Sequence, residues 1–261
     1  MSTFGPLIIF TKYKHMKKTF MLIALLTGAI MMTVGQTDYK MWQLVYLKAL
    51  PGADMEAAAK AMADHNKNFH PDGKYHASVW ANNTGSRVGT LVWVMGPATF
   101  TDHDARPSGK DHDDDWSNVT KYFKVVANEY WKLDEKKSYV PEDFKYGDKV
   151  IWTIYDIAPG EGYRFAALLE KISEVYKQKK YDHNFAVYWN RFDNKEGRDA
   201  AIEVSFSKWA FIDEDNSMKK DFEEVHGEGS WWKAIEEYRD CVISSEDEVS
   251  VLIPEMSAPV E

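Results

Sequence analysis

Hydrophobic and polar residues alternate with two different periods along the chain, and the change of period separates helices from strands. In residues 55–69 apolar side chains recur at steps of three and four, which predicts an amphipathic helix. The segments HASVWAN (76–82) and GTLVWVM (89–95) alternate residue by residue instead, which predicts two strands. The first half of the chain therefore places a helix before a pair of strands.

The second half of the chain repeats this order at nearly constant spacing. LVYLKALPGADME (44–56) matches WTIYDIAPGEGYR (152–164), and in both an apolar strand ends at Pro-Gly before a helix. The strand pair recurs as NFAVYWN (184–190) and AAIEVSF (200–206). The tryptophans also divide equally between the halves. These matches predict a tandem duplication.

A second helix is predicted after the strand pair of each half. The first follows from the spacing of Trp116, Val119, Phe123, Val126 and Tyr130, and its counterpart begins at the tryptophan pair of GEGSWW. Short strands ending in SYVP and VLIP come last. Each half is therefore predicted to be strand, helix, strand, strand, helix, strand, which is the ferredoxin-like βαββαβ order.

The predicted fold class is α+β, with two tandem ferredoxin-like repeats at 36–141 and 142–261. From this element order, residues 41–254 resemble the dimeric α+β barrel superfamily, which includes NIPSNAP-like proteins and small antibiotic-biosynthesis-type monooxygenases. The resemblance implies that the two sheets pair face to face, here within one chain. It brings no catalytic motif that can be placed on these residues.

The resemblance also bears on cofactors. Tandem members similar to chlorite dismutase bind heme, but their heme-ligating histidine motif cannot be placed on the second half. We therefore expect no cofactor, and heme or a metal ion stays open as an alternative.

The N-terminus has the pattern of a signal peptide. Lys17 and Lys18 precede the apolar run FMLIALLTGAIMM at 20–32, and a cleavage position is predicted before Gln36. This run is shorter than the roughly 20 apolar residues of a spanning helix. We therefore expect residues 1–35 to be an N-terminal extension followed by a signal peptide. After cleavage the protein should be periplasmic or extracellular and should have no membrane anchor.

The charge of the chain limits which classes of partner it can bind, and its cysteine content limits which disulfides it can form. Residues 1–35 contain four lysines and no acid, so their removal changes the net charge from −9 to −13. An acidic chain without a basic cluster does not favour nucleic acid or an anionic membrane. Cys241 is the single cysteine, which excludes an internal disulfide, and its apolar helical surroundings predict a buried side chain.

The duplication indicates which half carries a site. Histidines concentrate in the first half, and on the register above His65 matches Ser173, while His76 matches Asn184. Histidine can act as acid, base or ligand near neutral pH. We take His65 and His76 as candidate catalytic residues, in a pocket expected between the sheet and the helices of the first repeat.

Further candidates follow from the same half. Trp80 and Trp93 lie on adjacent predicted strands, where they could stack a planar ligand or simply fill the core. His103 and Arg106 have no like residue at the matching positions of the second half, and Arg106 could pair with a ligand carboxylate or with nearby aspartates. These four residues are the candidate ligand-binding set.

The acidic stretch DHDARPSGKDHDDDW (102–116) has two interpretations. Its latter part is predicted to cap a helix beginning near Trp116, and Thr99 or Thr101 is predicted to cap a short helix that has Asp102 in its first turn. A metal site would use the donors in the 102–112 loop, although their spacing matches no recognised metal motif. Those donors are Asp102, His103, Asp104 and His112.

These observations leave several functions open. The first is an exported protein that binds a small molecule in the first repeat, with cofactor-independent oxygenase or isomerase chemistry as an extension. The alternatives are a non-catalytic interaction module of the cell envelope and metal binding at the 102–112 loop. The chain is expected to act as a monomeric pseudo-dimer or a homo-oligomer.

Overall fold

A computed structural model describes residues 39–214 and 217–259. The predicted extension and signal peptide, residues 1–35, lie outside the described residues. Within the described part, no helix combines the length and the apolar character needed to cross a membrane. The described residues from Lys40 onwards form one compact unit, and the predicted repeat boundary at 141/142 falls in the connection between its two halves.

The first half contains four strands and three helices. In chain order they are β1 (Met41–Ala49), α1 (Met55–Phe69), β2 (Ala77–Asn82), β3 (Thr90–Ala98), α2 (Phe100–Asp104), α3 (Lys110–Thr120) and β4 (Phe123–Leu133). Asp54 caps the start of α1, because its carboxylate accepts hydrogen bonds from the backbone N–H groups of Glu56 and Ala57. A short 3₁₀ turn at Gly73–Tyr75 joins α1 to β2.

The second half repeats the order with longer helices. Its elements are β5 (Lys149–Ile157), α4 (Gly162–Lys179), β6 (Ala186–Asn190), β7 (Ala200–Phe206), α5 (Met218–His226), α6 (Ser230–Cys241) and β8 (Val242–Leu252). Further 3₁₀ turns lie at Trp209–Asp213 and Pro254–Met256. Cys241 is fully buried at the end of α6, as the apolar pattern around it predicts.

The eight strands form a closed barrel in the order β1-β3-β2-β8-β5-β7-β6-β4. Each half supplies four adjacent strands, and the halves join where β2 pairs with β8 and where β4 pairs with β6. Both junctions are antiparallel. The predicted pair of ferredoxin-like repeats is confirmed, and their sheets close into one barrel within a single chain.

Strand alternation gives the barrel two packed layers. Inward-facing side chains such as Leu44, Ile154 and Tyr188 belong to one cluster inside the barrel. Outward-facing residues of the same strands pack beneath the helices, with one cluster under the first-half helices and others under the second-half helices. Because successive residues point to opposite faces of a strand, each strand separates the interior from the helix layer.

The prediction of a helix that continues to Tyr130 is wrong beyond Thr120. α3 ends there, and β4 pairs with β1 along its whole length, from Ala49 opposite Phe123 to Met41 opposite Lys132. The apparent helical spacing continued because apolar residues of β4 happen to recur at similar steps. Barrel closure needs β4 to hydrogen-bond on both edges, and this pairing overrides the local pattern.

The start of the same helix also differs from the prediction. α3 begins at Lys110, so the aspartates at 113–115 lie inside the helix and do not precede it. This shift places His112 in the first turn, on the helix that packs against α1. By contrast, the predicted cap of α2 is confirmed, because Thr99 and Asp102 form a reciprocal capping box.

Candidate functional site

The barrel encloses a cavity of about 1030 Å³. Its walls are mostly apolar, and aromatic side chains come from both halves of the chain, among them Trp42, Tyr46, Trp80, Trp152 and Tyr188. The rings of Trp152 and Tyr188 lie 5.0 Å apart, and Trp42 meets Tyr188 edge to face at 5.5 Å. A cavity of this size with aromatic walls is typical of a small-molecule site.

One buried carboxyl group projects into this cavity. Glu203 on β7 accepts hydrogen bonds from Tyr188 Oη at 3.2 Å and from Asn184 Nδ2 at 3.1 Å. Asn184 is itself held by the backbone N–H of Ser205, which donates to Asn184 Oδ1 at 2.7 Å. Burial raises the pKa of Glu203, because a charged carboxylate is poorly solvated in an apolar wall.

An ionic network closes one end of the cavity. Arg198 donates to Glu129 Oε1 at 2.9 Å, to Glu248 Oε1 at 2.8 Å and to Tyr46 Oη at 2.9 Å. Arg87 Nη2 forms an ion pair with the same Glu129 Oε1 at 2.8 Å, and the Arg87 guanidinium lies 3.9 Å from the centre of the Tyr46 ring. Since Tyr46 and Glu248 line the cavity, this network forms its polar floor.

The opposite end of the cavity reaches the surface. Val140 and Tyr146 line it there and are 45% and 63% exposed. His76 also lines the cavity and is half-buried at the start of β2. A ligand entering past these residues would first meet apolar walls and then the buried polar groups.

A second cluster of polar side chains lies in the helix layer of the first half. His65 is in α1, His70 is the C-cap of that helix, and His112 is in α3. Their ring centres are 5.0 to 5.7 Å apart, and one ring nitrogen of each lies within 4.8 Å of the others. Among the described residues this is the group of histidine, cysteine and acidic side chains close enough to hold a metal ion.

Two of these histidines are deeply buried. Burial lowers the pKa of His65 to about 4 and that of His70 to about 3. The rings also contact Phe69, Trp93 and Trp116. At neutral pH both imidazoles are therefore neutral and carry one nitrogen lone pair each.

The comparisons with known proteins agree with this architecture. No protein-family model matches the chain, and no curated protein matches it. Among solved structures, a candidate chlorite dismutase aligns over 84% of this chain and 96% of its own, with a TM-score of 0.53 and 7% identity. The chain has the dimeric α+β barrel fold.

Two further structures share this dimeric α+β barrel. A candidate monooxygenase from Fusobacterium nucleatum covers 83% of this chain and 94% of its own, with a TM-score of 0.51 and 10% identity. A mutant chlorite dismutase from Candidatus Nitrospira defluvii covers 84% and 94%, with a TM-score of 0.51 and 9% identity. At such identities the likeness concerns the fold alone.

The second half of this dimeric α+β barrel does not fit a heme in its helix layer. The space between sheet and helices is filled by buried side chains such as Phe165, Leu169 and Phe185. His226 Nε2 lies 3.0 Å from the carbonyl oxygen of Lys171, so this nitrogen carries a proton and has no lone pair for iron. His183 lies between the rings of Tyr176, Tyr181 and Phe211.

The prediction of a pocket between the sheet and the helices of the first half is wrong. That layer is a packed core that includes Met62, Val79 and Met95, and the large cavity lies inside the barrel between both halves. His76 and Trp80 line that cavity. His65 lies on the other side of the sheet, so the two candidate catalytic histidines do not share a pocket.

The two candidate tryptophans are also separated. Val79 pairs with Trp93 and Trp80 pairs with Val92 between β2 and β3, so the indoles point to opposite faces. Trp93 is buried under the helices, where its Nε1 donates to Asn66 Oδ1 at 2.8 Å. Stacking of one ligand between Trp80 and Trp93 is therefore excluded by the register.

The four donors of the 102–112 loop do not come together. Asp102 bonds to Lys74 Nζ at 2.6 Å and to the backbone N–H of Thr99 at 2.8 Å, while Asp104 is exposed. His103 packs against Phe100 and Tyr130, and its buried Nε2 has no hydrogen-bond partner. His112 is directed away, towards the other two histidines. The prediction that these four side chains form a metal site is therefore wrong.

Arg106 and His103 lie outside the residues that line the barrel cavity. Arg106 is exposed. Burial of His103 lowers the pKa of its imidazole, and the positive charge of Arg106 lowers that pKa further. Neither residue can contact a molecule held among the cavity tryptophans.

Sequence reasoning missed several residues at these sites, among them Glu203 and His70. Glu203 lies between Ala201 and Ser205 on one face of β7. A charged residue between two small uncharged ones on that face was the sequence feature that could have indicated a functional side chain. His70 belongs to the segment His-Pro-Asp-Gly, whose composition indicates a turn. In the structure His70 is the C-cap of α1, and its imidazole is buried.

Proposed function

We propose that the barrel binds an elongated, largely apolar small molecule that contains an aromatic ring. The observation that carries this proposal is the cavity of about 1030 Å³ between the two sheets, with tryptophan and tyrosine on several of its strands. Removing an aromatic ligand from water is favourable, and offset or edge-to-face ring contacts add to this gain.

One polar group of the cavity indicates how the ligand is oriented. Glu203 accepts two hydrogen bonds from protein groups, and a carboxylate has room for further donors. We therefore expect the ligand to present a hydroxyl or amine towards Glu203, while its apolar part rests against Trp80 and Trp152. The ligand class is an aromatic alcohol or amine.

A binding experiment tests this proposal with N-phenyl-1-naphthylamine, a neutral aromatic amine whose fluorescence increases in apolar surroundings. Purified protein should bind it saturably, and Val94→Trp should weaken binding several-fold because Val94 lines the cavity. Ile243→Trp is the matched control, since Ile243 is 62% exposed on β8. Absence of saturable binding, or equal weakening by both substitutions, would reject a ligand site in the barrel and favour a protein that acts through its surface.

A second candidate function is proton-transfer chemistry on the bound molecule, as in cofactor-independent oxygenases and isomerases. It is favoured by Glu203, because a buried carboxyl group with a raised pKa in a mostly apolar cavity is suited to act as a general base. The test is exchange of the acidic C–H protons of a cyclic aromatic ketone in D₂O, followed by NMR. Exchange should be faster with the native protein than with Glu203→Gln, and equal rates would reject this role.

We also propose that the protein is exported after cleavage of residues 1–35, on the pattern of the apolar run that follows Lys17 and Lys18. Expression of the full chain followed by cell fractionation and N-terminal sequencing provides the test. Export with a new N-terminus at or near Gln36 is expected, and an uncleaved intracellular chain would contradict it.

A further inference from the structure

The three-histidine cluster of the first half has the chemistry of a metal site, and it is independent of the barrel cavity. His65 and His70 are 1% and 3% exposed, and the side chain of His112 is 18% exposed. All three belong to the layer between helices and sheet, whereas the proposed ligand occupies the other side of the sheet. The following argument therefore does not depend on the proposed function.

The hydrogen bonds of the cluster determine which nitrogen of each ring is free to ligate. His65 Nδ1 lies 3.3 Å from Asp115 Oδ1, His70 Nδ1 lies 3.1 Å from the carbonyl oxygen of Tyr75, and His112 Nδ1 lies 3.3 Å from Asp113 Oδ1. Carboxylate and carbonyl oxygens only accept, so in each pair the imidazole must donate its Nδ1 proton. The neutral rings are then left with their lone pairs on Nε2.

This is the arrangement in which proteins hold metal-bound histidine. A ligating imidazole usually donates its other N–H to a carboxylate or a backbone carbonyl, which fixes the tautomer and the ring orientation. Here all three rings have such an acceptor, and two of the acceptors are aspartates of α3.

Distance and charge also fit a divalent ion. Zinc binds imidazole nitrogen at about 2.0–2.1 Å with tetrahedral angles, which places ligand nitrogens about 3.3 Å apart. One ring nitrogen of each histidine lies within 4.8 Å of those of the other two, and the ring centres are 5.0 to 5.7 Å apart, so the rings must turn to bring their Nε2 atoms to that separation. Asp113 and Asp115 supply negative charge beside the cluster, which favours a dication.

We propose that His65, His70 and His112 form a binding site for a divalent first-row transition ion of the zinc type, linking α1 to α3. Three imidazoles select such ions over calcium or magnesium, which prefer oxygen ligands. Because His112 is partly exposed, the ion can enter from solvent, and a water molecule can complete its coordination. The second half lacks the site, since Ser173 stands at the position matching His65.

The test uses the full chain, first treated with a chelator and then titrated with Zn²⁺ in a calorimeter and with Co²⁺ in a spectrophotometer. One Zn²⁺ per chain should bind, with a rise in melting temperature, and Co²⁺ should give the intense visible bands of a four-coordinate site. His112→Gln should weaken Zn²⁺ binding at least tenfold and abolish the rise. This variant is chosen because His112 is the least buried of the three.

The matched control is His183→Gln, since His183 in the second half also has its Nδ1 beside an aspartate, Asp182, at 3.1 Å. It should bind Zn²⁺ as the native chain does. Circular dichroism and the melting temperature without metal establish that both variants fold. If the native chain binds neither ion saturably, or if His112→Gln binds as tightly as His183→Gln, the proposed site does not exist.

Discussion

Trp80 and Trp93 lie on neighbouring strands, yet the sheet separates their side chains, because Trp93 stands opposite Val79 and Trp80 stands opposite Val92. One indole lines the barrel cavity, and the other is 5% exposed beneath the helices. The two residues therefore report on different properties of the molecule.

Substitution of each tryptophan by phenylalanine should separate binding from stability. Trp93→Phe removes the hydrogen bond to Asn66 Oδ1 and leaves that buried oxygen unpaired, so it should lower the free energy of unfolding by about 2 kcal/mol. Trp80→Phe should change it by less than about 1 kcal/mol, because Trp80 is only half-buried and its Nε1 bonds to the adjacent Ser78.

Urea unfolding measures the stability of both variants, and titration with N-phenyl-1-naphthylamine measures binding. Trp80→Phe should weaken binding while Trp93→Phe leaves it intact. The opposite assignment would mean that the ligand sits in the helix layer.

Removal of one partner from the ionic network at the floor of the cavity should lower the free energy of unfolding. Arg198→Met leaves Glu248 without its arginine partner and leaves Glu129 with Arg87 alone, although both carboxylates are buried. Loss of one partner of a buried ion pair costs about 3–5 kcal/mol. Chemical denaturation should show a loss of this order.

A second variant distinguishes lost charge from lost packing. In Arg198→Met combined with Glu248→Gln, one of the uncompensated charges is removed, so part of the stability should return. If the double variant is less stable than Arg198→Met alone, the network does not act through charge compensation.

Glu203 should make stability depend on pH. Its pKa is raised in the folded state by burial, so its favourable contribution is complete below its ordinary pKa and is lost as pH rises through the folded-state value. At pH 7 this carboxyl group therefore supports the folded state less than it does at pH 4. Glu203→Gln removes the ionisable group.

We expect the stability of Glu203→Gln, relative to the native chain, to be greater at pH 7 than at pH 4. Denaturation at both pH values measures this difference. Glu142→Gln, at an exposed position, is the control and should show no such change. A difference that is independent of pH would contradict the raised pKa of Glu203.

The capping box of α2 should contribute to the stability of the loop that follows β3. Thr99 Oγ1 accepts from the backbone N–H of Asp102 at 3.0 Å, and Thr99→Ala removes this bond. Loss of an N-cap costs about 1 kcal/mol, which a shift of the urea midpoint would reveal. Thr99→Ser keeps the hydroxyl and should restore most of the stability. Equal loss in both variants would indicate a role for the Thr99 methyl group instead.

The sequence was sufficient for the fold because its signals are local and occur twice. Pro-Gly after β1 and β5, the alternating strand pairs and the one-face helices depend on neighbouring residues, and each is repeated in the second half. The error at β4 has a different origin. One edge of β4 pairs with β1 and the other with β6, and a strand that is specified by partners distant in sequence cannot be recognised from its own spacing.

The sites were less predictable, because they depend on which face of an element each side chain occupies. Alternation grouped His76 with Trp80, and both line the barrel cavity, because His76 directly precedes β2 and continues its alternation. The relation of Trp80 to Trp93 required the register between two strands. The histidine cluster joins residues from α1 and α3, and Glu203 lies beside Tyr188 only after β6 and β7 pair.

The junctions of β2 with β8 and of β4 with β6 give the molecule a freedom that a barrel of two identical chains lacks. A change in a homodimer appears on both sides of its axis, so any new side chain must be tolerated twice in one interior. In this chain each half can change alone. One half could thus acquire three clustered histidines while the other placed a carboxyl group in the shared interior, and either feature can now be altered without touching the other.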